Sequence, residues 1–166
     1  MRRPLALAAA AIVSLAPVAG AQSPAKAQGS KGKTMTQRAA GTFEVKMKSL
    51  PDDEKVPGVA VVRLAWEKDW TGDLEAASKG EMMATNAGDQ GSGGYVAIEQ
   101  VTGRLQGRTG SFTLVHKGTM GAGGVDIQID VVPGSGTGQL AGLSGRITIT
   151  IAGGKHSYAM DYALPD

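Results

Sequence analysis

Hydrophobic and polar residues alternate along most of the chain after Gly41. TFEVKMK (42–48) has an apolar side chain at every second position, and VAVVRLAWEKDW (59–70) places on one face Ala60, Val62, Leu64, Trp66 and Trp70. Similar runs follow at 74–83, 95–120, 125–133, 146–152 and 156–164, each bounded by Gly, Pro or Asp. A period of two with frequent turn residues is typical of strands, and no stretch shows a sustained helical period. The pattern predicts an all-β domain of about eight strands, arranged as a sandwich or a closed barrel.

The last two runs form a hairpin whose register can be predicted. Gly153-Gly154 suits a two-residue turn, which requires positive φ at both positions. Such a turn pairs Ile151 with His156, Ile149 with Tyr158 and Ile147 with Met160. The isoleucines then share a face with the aromatic residues, so this face is expected to point inward.

The segment YVAIEQVTGRLQGRTGSFTLVHKGTM (95–120) reads as a second hairpin, and it carries two ionisable residues on its apolar face. Glu99 and His116 alternate in phase with the apolar residues Val101, Leu105, Phe112 and Leu114. A turn over residues 107–110 pairs Val101 with His116 and Glu99 with Gly118. A shift by one pair brings Glu99 opposite His116. Only a β-bulge, for instance at Gly103, would separate the two side chains onto different faces.

An inward glutamate needs partners, because burying a charged group without compensation is costly. His116 and Tyr158 are the predicted partners of Glu99. A Glu–His pair can perform general acid/base chemistry, since each group shifts the pKa of the other. The alternative is an internal hydrogen bond near a barrel rim, with no role in chemistry.

Two glycine-rich segments resemble each other. GRLQGRTGSFTL begins at Gly103 and GQLAGLSGRITI begins at Gly138, with Gly, Leu, Gly and Gly at matching positions. Such self-similarity predicts one supersecondary unit that is used twice.

The N-terminal region differs in composition from the rest of the chain. Residues 1–21 combine Arg2 and Arg3, an apolar run and the small residues Ala19-Gly20-Ala21, which is the pattern of a signal peptide cleaved after Ala21. Residues 22–40 are small, polar and basic, and are expected to form a disordered linker. The single barrel domain is predicted to span residues 41–166. The protein is therefore expected in the periplasm or outside the cell, with no membrane span after cleavage.

Charge and composition exclude several classes of function. The chain has 17 basic and 15 acidic residues, so loss of Arg2 and Arg3 with the signal leaves 15 of each. From Gly41 onward the acidic residues are in excess, which argues against nucleic-acid binding. The chain has no cysteine, and its two histidines with Asp126 and Asp130 fall short of a metal signature. No phosphate-binding loop or nucleophile elbow is present, and no cofactor is expected.

Five blocks, in order and at characteristic spacing, resemble the bacterial domain of unknown function 3224 family. They are GTFEVKMKSLP, GDLEAASKGEMM, GYVAIEQVTGRLQGRTGSFTLVHKGTM, VVPGSGTGQLAGLSGRITITI and GKHSYAMDYALP. The resemblance covers about Gly41 to Pro165. It implies a small eight-stranded antiparallel β-barrel, similar to allene oxide cyclase and dirigent-type barrels, with little helix. It implies no activity, and fold analogy does not supply one.

Three functions remain open from the sequence. The first is a monomeric or homodimeric barrel that binds a small, mostly apolar molecule in a lumen lined by Trp66, Tyr95, Glu99, Val101, Phe112, Leu114, His116, Tyr158 and Met160. The second is a cyclase or isomerase that uses Glu99 and His116 as acid and base. The third is a structural or protein-interaction barrel with a filled interior.

Overall fold

The structure, a computed structural model, describes residues 36–51, 61–86 and 92–165. Eight strands follow one another in chain order around a closed antiparallel barrel: β1 (Gln37–Ser49), β2 (Val62–Gly72), β3 (Leu74–Asn86), β4 (Gly93–Leu105), β5 (Arg108–Gly121), β6 (Gly124–Val131), β7 (Ser144–Ala152) and β8 (Lys155–Ala163). One short 3-10 turn, Gly138–Leu140, precedes β7. The predicted all-β fold and eight-stranded barrel are confirmed. Among the residues described, no helix is long and apolar enough to cross a membrane.

The two ends of the barrel differ in how they are filled. At the closed end, the β2–β3 turn meets the β4–β5 turn, where the Gln106 N–H donates to the Asp73 carbonyl at 2.8 Å, and residues 132–143 form the connection from β6 to β7. That connection runs beside β5, where the Thr137 N–H donates to the Ser111 carbonyl at 2.9 Å. It places Leu140 and Leu143 in the core, where both are buried. At the opposite end, called the mouth, β1, β3, β5 and β7 end and β2, β4, β6 and β8 begin.

The apolar core fills the half of the barrel nearer the closed end. Its buried members come from all eight strands and the 132–143 connection, and they include Phe43, Trp70, Leu74, Val101, Leu105, Phe112, Leu114, Ile129, Leu140, Ile147, Tyr158, Met160 and Tyr162. Alternation along each strand places these residues inward, because successive side chains of a strand point to opposite faces. The predicted inward faces of the two hairpins are therefore confirmed.

The β7–β8 hairpin has the predicted register. Ile151 pairs with His156, Ile149 with Tyr158 and Ile147 with Met160. Gly153 and Gly154 both have positive φ, at 57° and 76°. Two glycines therefore suffice to define this turn.

The predicted register of the β4–β5 hairpin is wrong in both forms. The turn is Gln106-Gly107, with φ of 45° and 84°, and it pairs Glu99 with Leu114 and Ala97 with His116. Gly110, taken as a turn residue, lies in β5. A Cβ atom there would come within 2.1 Å of the Thr137 carbonyl oxygen, so this glycine permits the 132–143 connection to approach. The pairing of β4 with β5 continues past Gly103 without a bulge.

The predicted repeat holds only in its second half. Gly107 and Gly142 both have positive φ, and the apolar positions that follow, Phe112 and Ile147, are both buried. The residues before these turns differ, because the first copy is the end of β4 and the second is the 3-10 turn. The two copies are therefore not one supersecondary unit. They share only a glycine turn and the start of the strand that follows it.

β1 begins earlier than the sequence pattern indicated. Residues 37–40, assigned to the linker, pair with β8, and Ala39 is fully buried between its neighbours. Alanines carry little hydrophobic signal, which is why the pattern did not mark this strand end. The predicted signal peptide, the linker up to Met35, and Ala60 lie outside the described residues.

Candidate functional site

Glu99 lies in the barrel interior and is fully buried. The alternation of β4 turns it inward between Ala97 and Val101, both of which are also buried. One carboxylate oxygen, Oε2, accepts a hydrogen bond from Lys68 Nζ at 2.7 Å. The other, Oε1, accepts one from the Ser78 hydroxyl at 2.5 Å. The glutamate therefore has a partner on each oxygen.

Lys68 reaches Glu99 from β2, where it lies between two inward tryptophans. Its residue exposure is only 6%, because the aliphatic stem and the ammonium group both point into the barrel. The ammonium nitrogen lies 5.0 to 5.1 Å from the ring centroids of Phe43, Trp66 and Trp70. Aromatic faces attract cations, so these rings partly replace the water that the ammonium group loses.

Ser78 connects the carboxylate to the aromatic core. Trp70 Nε1 donates to the Ser78 oxygen at 2.8 Å, and the Ser78 hydroxyl donates onward to Glu99. The chain from Trp70 through Ser78 fixes the orientation of the carboxylate. Because every donor in it faces an acceptor, this side of the network is satisfied.

His116 lies close to the carboxylate but is not well aligned with it. Its Nε2 atom is 2.9 Å from Glu99 Oε2, yet the ring N–H is not directed at that oxygen within hydrogen-bonding limits. The ring meets Trp66 edge to face, with centroids 5.6 Å apart. Trp66 Nε1 is also buried without an acceptor among the described residues. Two buried ring nitrogens of this cluster therefore lack aligned partners.

The contacts of Glu99 keep it ionised. Burial raises the pKa of its carboxyl group, but the contacts with His116, Lys68 and Ser78 outweigh burial and lower the pKa from 4.5 to about 2. Burial lowers the pKa of Lys68, and the attraction of Glu99 only partly offsets this effect. The difference follows from the number of contacts, since the carboxylate has several polar neighbours while the ammonium group has one acceptor in the part of the chain that the structure describes. The surroundings therefore stabilise the charged form of Glu99 more fully than the charged form of Lys68.

A cavity of about 180 Å³ opens at the mouth beside this network. We call it the mouth pocket. Side chains from seven strands line it: Phe43, Val45, Met47, Trp66, Lys68, Met82, Tyr95, Ile127, Ile149, Ile151 and His156. Glu99 and His116 are not part of its wall and lie behind Trp66 and Lys68. Among the described residues, the lumen is therefore filled in one half and open in the other.

Part of the pocket wall is loosely joined. In the described strands, β6 pairs with β7 through Ile129–Ile147 and Asp130–Arg146 alone. Beyond these pairs the two strands separate toward the mouth, and the inward residues Ile127 and Ile151 are 43% and 64% exposed. Exposed isoleucines on the inner face indicate that the pocket is reached from this side.

Three inward aromatic rings lie over glycines of the neighbouring strand. Trp66 pairs with Gly80, and Tyr95 pairs with Gly118. A Cβ atom on Gly80 would lie 2.3 Å from the Trp66 ring, and one on Gly118 would lie 2.0 Å from the Tyr95 ring. A Cβ atom on Gly41 would meet the Thr71 carbonyl oxygen at 1.9 Å and the Tyr158 hydroxyl at 2.8 Å. At the mouth, Gly80 and Gly118 let large rings line the wall without closing the lumen.

The nine residues predicted to line a lumen divide into three groups. Trp66 and Tyr95 line the mouth pocket, and Glu99 and His116 lie behind it. The remainder pack in the filled half of the barrel: Val101, Phe112, Leu114, Tyr158 and Met160. The prediction that Tyr158 is a partner of Glu99 is wrong. Its hydroxyl accepts a hydrogen bond from the Leu74 N–H at 2.8 Å and donates one to the Thr71 carbonyl.

Sequence reasoning missed Lys68 and Ser78. The alternation that places Trp66 and Trp70 inward also places Lys68 inward, and a lysine between two core tryptophans is a signal for a buried acid. Ser78 occupies the inward phase of β3 in the same way. Asp126 and Asp130 form no metal site, and no cluster of three or more His, Asp or Glu side chains suited to a metal occurs in the described part of the chain.

Comparison with known proteins identifies the family. Residues 39–162 match the family model described as protein of unknown function DUF3224. The chain belongs to the DUF3224 family. A solved structure of a DUF3224 protein of unknown function from Shewanella oneidensis MR-1 is 41% identical, with a TM-score of 0.73, and the match covers 80% of this chain and 100% of that one. No curated protein matches. This DUF3224 barrel is thus shared with a relative whose function is also unknown.

Proposed function

We propose that this DUF3224 protein is an exported binding protein that holds a small, mostly apolar molecule in the mouth pocket. The observation that carries the proposal is the hollow half of the lumen beside a filled core. Small-molecule sites are concave and mostly apolar with a few polar groups, and the mouth pocket has this character.

The volume of the pocket limits the size of the ligand. A protein cavity of about 150 Å³ lined by apolar side chains takes up benzene. The mouth pocket, at about 180 Å³, therefore suits one ring or a short aliphatic chain. Ile127 and Ile151 lie in the open part of the pocket wall, so a longer ligand would protrude between β6 and β7.

The polar network behind the pocket supports binding better than catalysis. A cyclase or isomerase that used Glu99 as its base would need a carboxylate with a pKa near the working pH and contact with the substrate. Glu99 has a pKa of about 2, two fixed donors and no place in the pocket wall. Its arrangement instead holds Lys68 in position. The enzyme alternative has no observation in its favour.

Two further parts of the proposal rest on sequence and analogy. Export rests on the signal-peptide pattern of residues 1–21. Kinship with allene oxide cyclase and dirigent-type barrels rests on the resemblance of the fold, supported by the closed eight-stranded barrel. The oligomeric state is proposed as monomer or homodimer.

Methyl-resolved NMR with toluene as the probe tests the proposal. Toluene should shift the methyl resonances of Ile127, Ile149 and Met82, which line the pocket. The methyl resonances of Ile98 and Val115, which are exposed and point outward from β4 and β5, should stay unchanged.

A blocking variant with a matched control locates the site. Val45→Phe adds bulk to the pocket wall and should abolish the toluene shifts. Val115→Phe adds the same bulk to the outer surface and should leave them intact. If toluene causes no shifts in the unaltered protein, or shifts inner and outer methyl groups alike, the binding proposal is wrong and the structural alternative replaces it.

A further inference from the structure

Among the described residues, every polar side chain around the mouth pocket can donate a hydrogen bond. Among its lining residues, Lys68 and Trp66 are hydrogen-bond donors only, and Tyr95 and His156 can donate. Of the described residues, none with an acidic or amide side chain lines it. The nearest carboxylate, Glu99, lies behind the wall with each oxygen already bound. The pocket thus offers donors to a ligand and few acceptors.

One of these donors has unused capacity. The Lys68 ammonium group has three N–H bonds, and in the described residues its one hydrogen-bond acceptor is Glu99 Oε2. A buried N–H bond without an acceptor is unfavourable, so a ligand that brings acceptor atoms gains more than its apolar contacts alone would provide.

The electrostatics of Lys68 also favour a ligand with a negatively charged group. Burial outweighs the attraction of Glu99, so the charged form of this lysine is incompletely compensated. A second negative group near Nζ would stabilise the ammonium group. A positively charged ligand head would face Lys68 across the same small space and would be repelled.

We propose that the ligand is a small amphipathic monocarboxylate whose anionic head binds Lys68 and whose apolar body lies against Ile127, Ile149 and Ile151. This inference rests on the binding function proposed above and specifies the chemistry of the ligand. Lys68 then holds two carboxylates, that of Glu99 behind it and that of the ligand in front.

Competing probes of equal size test the charge preference. Benzoate, benzamide and toluene fill nearly the same volume but differ in charge and polarity. By calorimetric or NMR titration, benzoate should bind at least about tenfold more tightly than benzamide, as expected for a charge-assisted hydrogen bond. Glu99→Gln should strengthen benzoate binding further, because the lysine charge is then no longer shared with a second carboxylate.

A paired variant removes the charge without leaving a buried ion unmatched. Lys68→Met combined with Glu99→Gln should bind toluene as the unaltered protein does, but should bind benzoate no better than benzamide. Lys155→Met, at an exposed lysine of the same barrel end, is the matched control and should keep the benzoate preference.

The outcomes separate the two proposals. If toluene binds but benzoate shows no advantage, or if the paired variant keeps that advantage, the carboxylate inference is overturned and the binding function stands. If none of the three probes binds, both fail.

Discussion

Replacing Lys68 alone should reduce the free energy of unfolding far more than replacing Lys68 and Glu99 together. Glu99 is fully buried and Lys68 nearly so, with 2.7 Å between Nζ and Oε2. Lys68→Met leaves the carboxylate with Ser78 and a poorly aligned His116. Breaking a buried ion pair by removing one partner costs about 3–5 kcal/mol. We expect a loss near the lower end, about 3 kcal/mol, because the Ser78 hydroxyl still donates a hydrogen bond to the carboxylate.

The paired variant Lys68→Met/Glu99→Gln should recover most of this loss. A neutral Gln keeps the contact with Ser78, and Met fills the space of the lysine stem between the aromatic rings. Replacing a buried pair by uncharged groups of similar volume is often neutral, so we expect its free energy of unfolding within about 1 kcal/mol of the unaltered protein. Lys68→Met alone should lower the melting temperature by roughly 10 °C, because in a domain of this size each kcal/mol of lost stability lowers it by about 2–4 °C or somewhat more.

Guanidinium unfolding followed by far-ultraviolet circular dichroism measures these free energies without relying on tryptophan fluorescence, which the substitutions would disturb. The four proteins of the double-mutant cycle give the coupling energy between the two side chains. A coupling energy below about 0.5 kcal/mol, or a paired variant less stable than Lys68→Met alone, would refute the claim that the two charges compensate each other.

Three further predictions concern acid stability, packing and export. The folded-state pKa of Glu99 is depressed from 4.5 to about 2, so its contribution of about 3 kcal/mol to the free energy of unfolding is complete above pH 4.5 and is lost as the pH falls toward 2. Unfolding titrations of Glu99→Gln at several pH values should lack this loss. If the variant and the unaltered protein lose the same stability between pH 4.5 and pH 2, the prediction is contradicted. Gly80→Ala should cost about 1–3 kcal/mol by displacing the Trp66 ring, whereas Gly123→Ala, which meets no atom within 4 Å, should change the unfolding free energy by about 0.5 kcal/mol or less; equal effects would argue against the packing. The exported protein should begin after Ala21, which N-terminal sequencing or intact mass of a periplasmic preparation measures, and a retained leader would contradict the signal-peptide prediction.

The alternation of apolar and polar side chains was sufficient to predict most of the fold. A period of two marks which residues face inward whatever the register, so the inward positions of Glu99 and His116 followed from the sequence. The β7–β8 register followed as well, because Gly153-Gly154 admits one tight turn. Local signals of this kind need no knowledge of distant segments.

The remaining features depend on contacts between distant segments. Gly110 looked like a turn residue, but it makes room for the 132–143 connection, which no local pattern reveals. The partners of Glu99 come from strands β2 and β3. Lys68 could have been found by following the alternation through Trp66 and Trp70, since an inward lysine requires a counter-charge. The choice of Ser78 over Tyr158 depends on the height of each residue along the barrel, which requires the complete strand pairing.

The aromatic rings that lie over glycines also determine how the barrel closes. Trp66 over Gly80, Tyr95 over Gly118 and Tyr158 over Gly41 connect β2 to β3, β4 to β5, and β8 to β1. Each ring fits only where the opposite residue has no side chain, so sliding either strand by two residues would set the ring against a Cβ atom. The last of these pairs joins β1 to β8, where the barrel closes. The match of ring to glycine therefore allows only one alignment of these two strands, and it selects against barrels of the same strands with a different shear.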